Sequence, residues 1–208
     1  ADCEYLFVDN TGPIQTDAYH GLNALLNAAH APMVILCHQD VRLLNDHRAA
    51  LDERLKDLLK GDADWALAGN AGGVAAGTLA LRITDPHGKD QKHGNFPQRV
   101  ASLDENFIIV RRDARLGFSR DLKGFHFYGA DICLHAAQMG YSAYVIDFHL
   151  EHLSPGKKGA DFGTMESAFR EKWERALSPR WIQTTCSLMR LSGDPVGGFL
   201  GRLASKPF

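Results

Sequence analysis

Four side chains that could do acid–base or metal chemistry stand at the ends of apolar or glycine-rich stretches: Asp9 after Glu4–Val8, Asp40 after Met33–Cys37, Asp131 after the aromatic–glycine stretch 124–130, and His152 shortly after residues 144–146. A carboxylate held at a strand end suits a hard divalent ion that also takes phosphate oxygens, and His38 precedes Asp40 by two residues. The same Asp40 would serve equally as a cap for a helix or turn, and His38 as a hydrogen-bonded buried histidine. Asp131 reads as a general base toward a hydroxyl, or as a carboxylate stabilised by the free N–H groups of a helix start. His149 and His152, with Glu151 between them, have the spacing of half a metal site, which surface histidines also show.

The elements that must position these groups follow from hydrophobic period. Glu4–Val8, Met33–Cys37 and Trp65–Ala68 are short apolar runs that read as buried strands. Between them Thr16 is placed to cap a helix with Leu22, Leu25, Leu26 and Ala29 on one face. A second helix from about Asn45 turns Leu51, Leu55, Leu58 and Leu59 inward and ends at Gly61. This β-α-β-α-β order predicts an α/β fold, a mostly parallel central sheet with helices on both faces. Right-handed crossovers would bring the strand ends to one edge, where ligands of such sheets collect.

Farther along, Thr78–Ile83, Phe107–Val110 and Tyr144–Ile146 read as strands, and Pro86–Pro97 as a polar loop. A short helix after Asp131 carries Ile132, Ala136 and Met139 and stops at Gly140. From Thr164 a helix places Met165, Phe169, Trp173, Ala176 and Leu177 on one side, and another is expected over Pro179–Leu191. The tail from Gly193 reads as loosely ordered. These boundaries divide the chain into a catalytic domain over 1–160 and a helical extension over 161–208 packed on it.

Bulk properties narrow the classes. The 208 residues are 45% hydrophobic and 23% charged, the balance of an ordinary globule, and the net charge is −2. No polybasic run provides the footprint of a nucleic-acid binder. The four cysteines form no CxxC pair, which fits free thiols in a reducing compartment. No apolar run approaches the roughly 20 residues of a membrane span, and no signal peptide is visible, so the cytoplasm is the expected location. The chain begins at Ala1 and enters its first apolar run within three residues, as though upstream sequence were missing.

Taken in order, FVDN (7–10), ILCHQDV (35–41), SLDENFIIVRR (102–112), GFHFYGADICLHAAQMGY (124–141) and HLEHLSPG (149–156) resemble glycosyltransferase family 2, in particular its bacterial branch linked to capsule or antibiotic-sugar biosynthesis. The resemblance implies a nucleotide-diphospho-sugar transferase fold (GT-A type) with its first strand and helix missing. It implies a sugar nucleotide donor, commonly a UDP-sugar, a glycan or small-molecule hydroxyl acceptor, and an Mn²⁺ or Mg²⁺ cofactor. Asp9 and Asn10 match the nucleobase-reading segment, and Asp40 matches the carboxylate that holds metal and diphosphate. His38 stands where the family has a first acid, and His152 matches a histidine that completes the metal site. Asp131 matches the base of inverting members, with Ala130 in place of the preceding Glu, while Asp104 and His126 fall on the sugar or acceptor side. Two other readings remain: a non-catalytic relative that binds a nucleotide or glycan, and a small metal-dependent hydrolase using His38, Asp40, His149 and His152.

Overall fold

The computed structural model describes residues 3–156, 158–204 and 206–207. Two units divide the chain, Ala1–Met165 and Glu166–Phe208. Helix α1 (Ala18–Ala28) begins where the Asp17 carboxylate, not the Thr16 hydroxyl, accepts the His20 N–H. Strand β1 (Met33–Cys37), the short β2 (Val41–Leu43) and helix α2 (Arg48–Gly61) follow. Then come β3 (Trp65–Gly69), β4 (Ala71–Ala75), β5 (Thr78–Asp85), β6 (Gly88–His93), β7 (Gln98–Val100), β8 (Ser102–Leu103) and β9 (Phe107–Arg111). Helix α3 (Tyr128–Gln138), β10 (Ser142–Val145) and β11 (Leu150–His152) carry the remaining functional candidates, and α4 (Phe162–Leu177) comes after them.

The expected parallel α/β sheet is not what forms. The strands make a mixed, mostly antiparallel arrangement curled into half a barrel, in the orders β1-β9-β3-β10-β7 and β2-β11-β5-β4-β8, with β6 on β5. Among the described residues only β3–β10 and β5–β11 pair in parallel. The decisive strand is β9, which enters between β1 and β3 and runs antiparallel to both, pairing Ile35 with Ile109 and Ala68 with Ile109. A strand buried on both faces, as β3 and β9 are, is apolar whichever way its neighbours run, so such runs reveal burial but not direction. Met33–Cys37, expected to be buried, instead leaves Met33, Ile35 and Cys37 exposed at the sheet edge.

The core forms where expected along α2 except at Leu59, which is exposed rather than turned inward. Leu51, Leu55 and Leu58 of α2 pack with Trp65, Phe107, Ile109, Phe148 and Leu150. Each such side chain contributes about 1.5–3 kcal/mol by leaving water.

Other expectations are corrected. Glu4–Val8 is not a buried strand: it makes no ladder, and Tyr5 and Phe7 are 86% and 83% exposed. Its one firm anchor is the Glu4 carboxylate, which accepts the His30 N–H at 2.9 Å and lies 3.0 Å from His30 Nδ1. The polar stretch 86–97 is no loop but contains β6, an outer strand whose hairpin with β5 is closed by Asp85 accepting the N–H groups of His87 and Gly88.

The second unit is not purely helical. Residues 180–191, expected as helix, form the antiparallel pair β12 (Arg180–Gln183) and β13 (Ser187–Leu191), turned by Thr184 and Ser187. The tail contains helix α5 (Pro195–Ala204) and β14 (Lys206–Pro207), which pairs with β13.

Candidate functional site

Asp40 and His152 come together because the chain after β1 turns through His38-Gln39-Asp40 into β2, and β2 pairs antiparallel with β11. That ladder sets His152 opposite Val41 and Glu151 opposite Arg42. The Leu153 N–H donates to the Asp40 carbonyl at 3.0 Å, and the His38 N–H donates to the Asn106 carbonyl at 3.0 Å. Backbone bonds thus clamp both sides of the cluster.

His152 Nε2 lies 3.3 Å and His38 Nδ1 3.9 Å from Asp40 Oδ1, and the two imidazole centres are 5.5 Å apart. One ligand atom from each of the three residues falls within 4.8 Å of the others. The Asp40 and His152 side chains are only 26% and 14% exposed. Asp40 Oδ1 and His152 Nε2 are buried and lack a hydrogen-bond partner among the described residues, facing each other without hydrogen-bond geometry. A buried polar atom left this way costs about 1–3 kcal/mol. A cation between these lone pairs would offset that cost, so the donor set fits a divalent ion.

A buried aromatic group holds His38. Tyr128 Oη is 2.7 Å from His38 Nε2 and donates to the Glu105 carbonyl at 3.2 Å. Tyr19 and Phe118 meet the Tyr128 ring edge-on and fix its position. Occupying Nε2 in this way leaves Nδ1, the atom nearer Asp40, to bind an ion. Burial pushes the His38 imidazole below its ordinary pKa, with the neighbouring His152 adding to the effect and Asp40 and Asp104 opposing it. A neutral imidazole is the form that ligates.

The other sequence candidates lie apart from this cluster or serve it indirectly. Asp9 is exposed and accepts the Thr11 N–H and hydroxyl at 2.9 and 2.6 Å, bonds that hold its carboxyl below the usual range. Asn10 ties the same turn to Thr16 through its side-chain amide. Both behave as turn residues. Asp104 is exposed, accepts from Asn106, and adds negative charge near His38. His126 is half-buried against Phe127 and Phe162. His149 is buried elsewhere, with Nε2 2.9 Å from the Thr84 hydroxyl and its N–H donating to Asp46 at 2.7 Å.

Asp131 is fully enclosed, with no exposed surface, in the first turn of α3. Its two oxygens accept the Ser119 N–H at 2.8 Å and the Ser119 hydroxyl at 2.7 Å, and His135 Nε2 lies 3.0 Å from the same hydroxyl. This is the geometry of a carboxylate that ties a loop to a helix.

Two residues that sequence reasoning did not single out adjoin the cluster, Tyr128 directly and Glu105 through Tyr128. Tyr128 sits within the noted aromatic–glycine segment, but its bond to a histidine 90 positions away leaves no local trace. Glu105 adjoins Asp104; its carboxylate accepts the Gly129 N–H at 3.4 Å.

No family model matches this chain. It is similar to a protein of Fuscovulum blasticum named ATP synthase subunits region ORF 6, with 34% identity over 196 residues, covering 91% of this chain and 79% of that protein.

Proposed function

We propose, for a chain that belongs to the same family as the Fuscovulum blasticum ORF 6 protein, that His38, Asp40 and His152 hold a divalent cation and that the site transfers a sugar from a nucleotide-diphospho-sugar to a hydroxyl acceptor. The observation that carries this reading is the pair of buried, unpartnered acceptors, Asp40 Oδ1 and His152 Nε2, on one ladder beside a histidine held by Tyr128. The bound ion would supply positive charge for the departing diphosphate. Two imidazoles with one carboxylate favour Mn²⁺ over Mg²⁺, since nitrogen ligands suit the softer ion. Among this chain's own groups, Asp40 supplies the hard oxygen ligand, Tyr128 orients His38, and the β2–β11 ladder keeps Asp40 and His152 in register. The sequence motifs resembling glycosyltransferase family 2 support the choice of substrate class, although the fold expected from them is not formed. The four cysteines are free, which supports a reducing compartment such as the cytoplasm. No helix among the described residues is long and apolar enough to cross a membrane.

The test is calorimetric. With Mn²⁺ present, UDP should bind more tightly than UMP, and Asp40→Ala should abolish that preference while leaving the protein folded. Equal binding of UDP and UMP, with and without metal, sinks this reading. Metal binding without any nucleotide preference would instead favour the metal-dependent hydrolase, although His149 lies among Thr84, Asp46 and Asp90 rather than in the cluster.

A further inference from the structure

Resting on that reading, we propose that Glu105, not Asp131, is the general base that takes the proton of the incoming hydroxyl. The first ground is elimination by geometry. Asp131 has no exposed surface, and both of its oxygens are engaged by Ser119, so an acceptor hydroxyl cannot reach it without unpacking α3.

The second ground is the placement of Glu105. It lies in the turn between β8 and β9, half-buried, against the start of α3. Its carboxylate meets the Gly129 N–H, and its carbonyl accepts the Tyr128 hydroxyl that contacts His38. The Glu105 backbone is therefore joined to the ion cluster through one tyrosine, and its carboxylate is held at the residue next to that tyrosine. The contact is tight: a side chain at Gly129 would collide with the Leu103 carbonyl and sit 3.2 Å from Glu105 Cγ. The glycine lets the helix start close on the glutamate and fix it.

The third ground is chemical. Burial, reinforced by the neighbouring Asp104, pushes the Glu105 carboxyl up to about 7, against the opposing pull of N–H groups at Gly129, Tyr128 and Phe127. Tyr19 and Tyr128, the other ionisable groups nearby, feel its charge and are themselves pushed far above their ordinary range by burial, so they stay protonated. A carboxylate with that proton affinity is well matched to deprotonating an alcohol near neutral pH.

The step balances within the proposed reaction. The bond from the sugar's anomeric carbon to the diphosphate oxygen breaks, its electron pair leaving on the diphosphate. The acceptor oxygen bonds to that carbon, and its proton passes to the Glu105 carboxylate.

The experiment measures UDP release from UDP-glucose, UDP-galactose and UDP-N-acetylglucosamine with Mn²⁺, water serving as acceptor, for the wild type, Glu105→Gln, Glu105→Asp and Asp131→Asn. Mn²⁺-dependent UDP binding is measured on each variant as the control for folding and donor capture. Glu105→Gln should bind UDP as the wild type does and lose turnover by about 10²–10⁴-fold. Glu105→Asp should recover part of that loss, and Asp131→Asn should turn over normally per folded molecule. The wild-type rate should rise through about pH 7 as the carboxyl ionises. Turnover by Glu105→Gln within about threefold of wild type, or its loss in a folded Asp131→Asn, overturns the assignment of the base while leaving the transferase reading intact. A wild type that binds UDP with Mn²⁺ but releases none from any of the three donors overturns both.

Discussion

Two regions of this molecule each set a carboxylate beside a histidine, and they differ in what surrounds the oxygen atoms. At Asp131 the two oxygens face Ser119, one taking its amide and the other its hydroxyl, and the histidine completes the network. At Asp40 one oxygen is buried 3.3 Å from a histidine nitrogen, and neither atom has a hydrogen-bond partner among the described residues. A satisfied buried carboxylate stiffens a fold; an unsatisfied one is costly to keep buried, a cost that a bound cation would offset. Judged by residue type and helix position alone, Asp131 is the better catalytic candidate. Judged by hydrogen bonding, it is a structural tie, and the cluster held by β2 and β11 is the stronger candidate site.

Stability measurements would sharpen or break that contrast. The largest effect is expected from Asp131→Ala, which strands the Ser119 amide in a closed interior and should cost roughly 2–4 kcal/mol in urea unfolding. Asp40→Ala in metal-free protein should cost nothing and should raise stability by up to about 1–3 kcal/mol, because it removes a buried acceptor that the fold leaves unpaired among the described residues. Equal losses for the two variants would erase the distinction.

The next effect lies at the ion. Tyr128→Phe should leave the fold in place and weaken Co²⁺ or Mn²⁺ binding by about 10-fold, with a shifted Co²⁺ absorption spectrum, because His38 loses the group that orients it. An unchanged spectrum and affinity would mean that the tyrosine merely packs.

A further effect is a pH dependence. A folded-state pKa for Glu105 raised from 4.5 to about 7 means that the fold holds its proton more tightly than the unfolded chain does. The corresponding stability is fully present below about pH 4.5 and is lost as pH rises through about 7. Wild type should therefore lose roughly 1–3 kcal/mol more than Glu105→Gln between pH 5 and pH 8. Parallel stability curves for the two proteins would show that the carboxyl is unperturbed.

Pairing separates another pair of segments. Met33–Cys37 and Glu4–Val8 have nearly the same apolar composition, yet β1 finds β9 as a partner and the earlier segment finds none among the described residues. Composition measures what a segment could bury. Pairing decides whether it becomes a strand, and even then Met33, Ile35 and Cys37 of β1 stay exposed.

What the residues alone determined were the features set by local pattern. The period of Leu51, Leu55 and Leu58 specified a helix and its inward face, and the apolar runs 33–37, 65–68 and 107–110 specified strands, of which the latter two are buried and the first is largely exposed. His38, Asp40 and His152 were legible as ligand types at strand ends, although the three are brought together from two distant stretches of chain. Strand direction was not legible, because burial on both faces erases the alternation that would mark a partner's orientation. The hairpin strand at 88–93 and the strands at 180–191 were hidden for a related reason: a short polar or mixed segment takes its form from the strand it meets. Only the tertiary structure could seal Asp131 behind Ser119, seat Tyr128 on His38 and press Glu105 against Gly129. Each of those contacts joins residues from separate elements, and the free energy of a polar atom depends on its partners rather than on its neighbours in sequence.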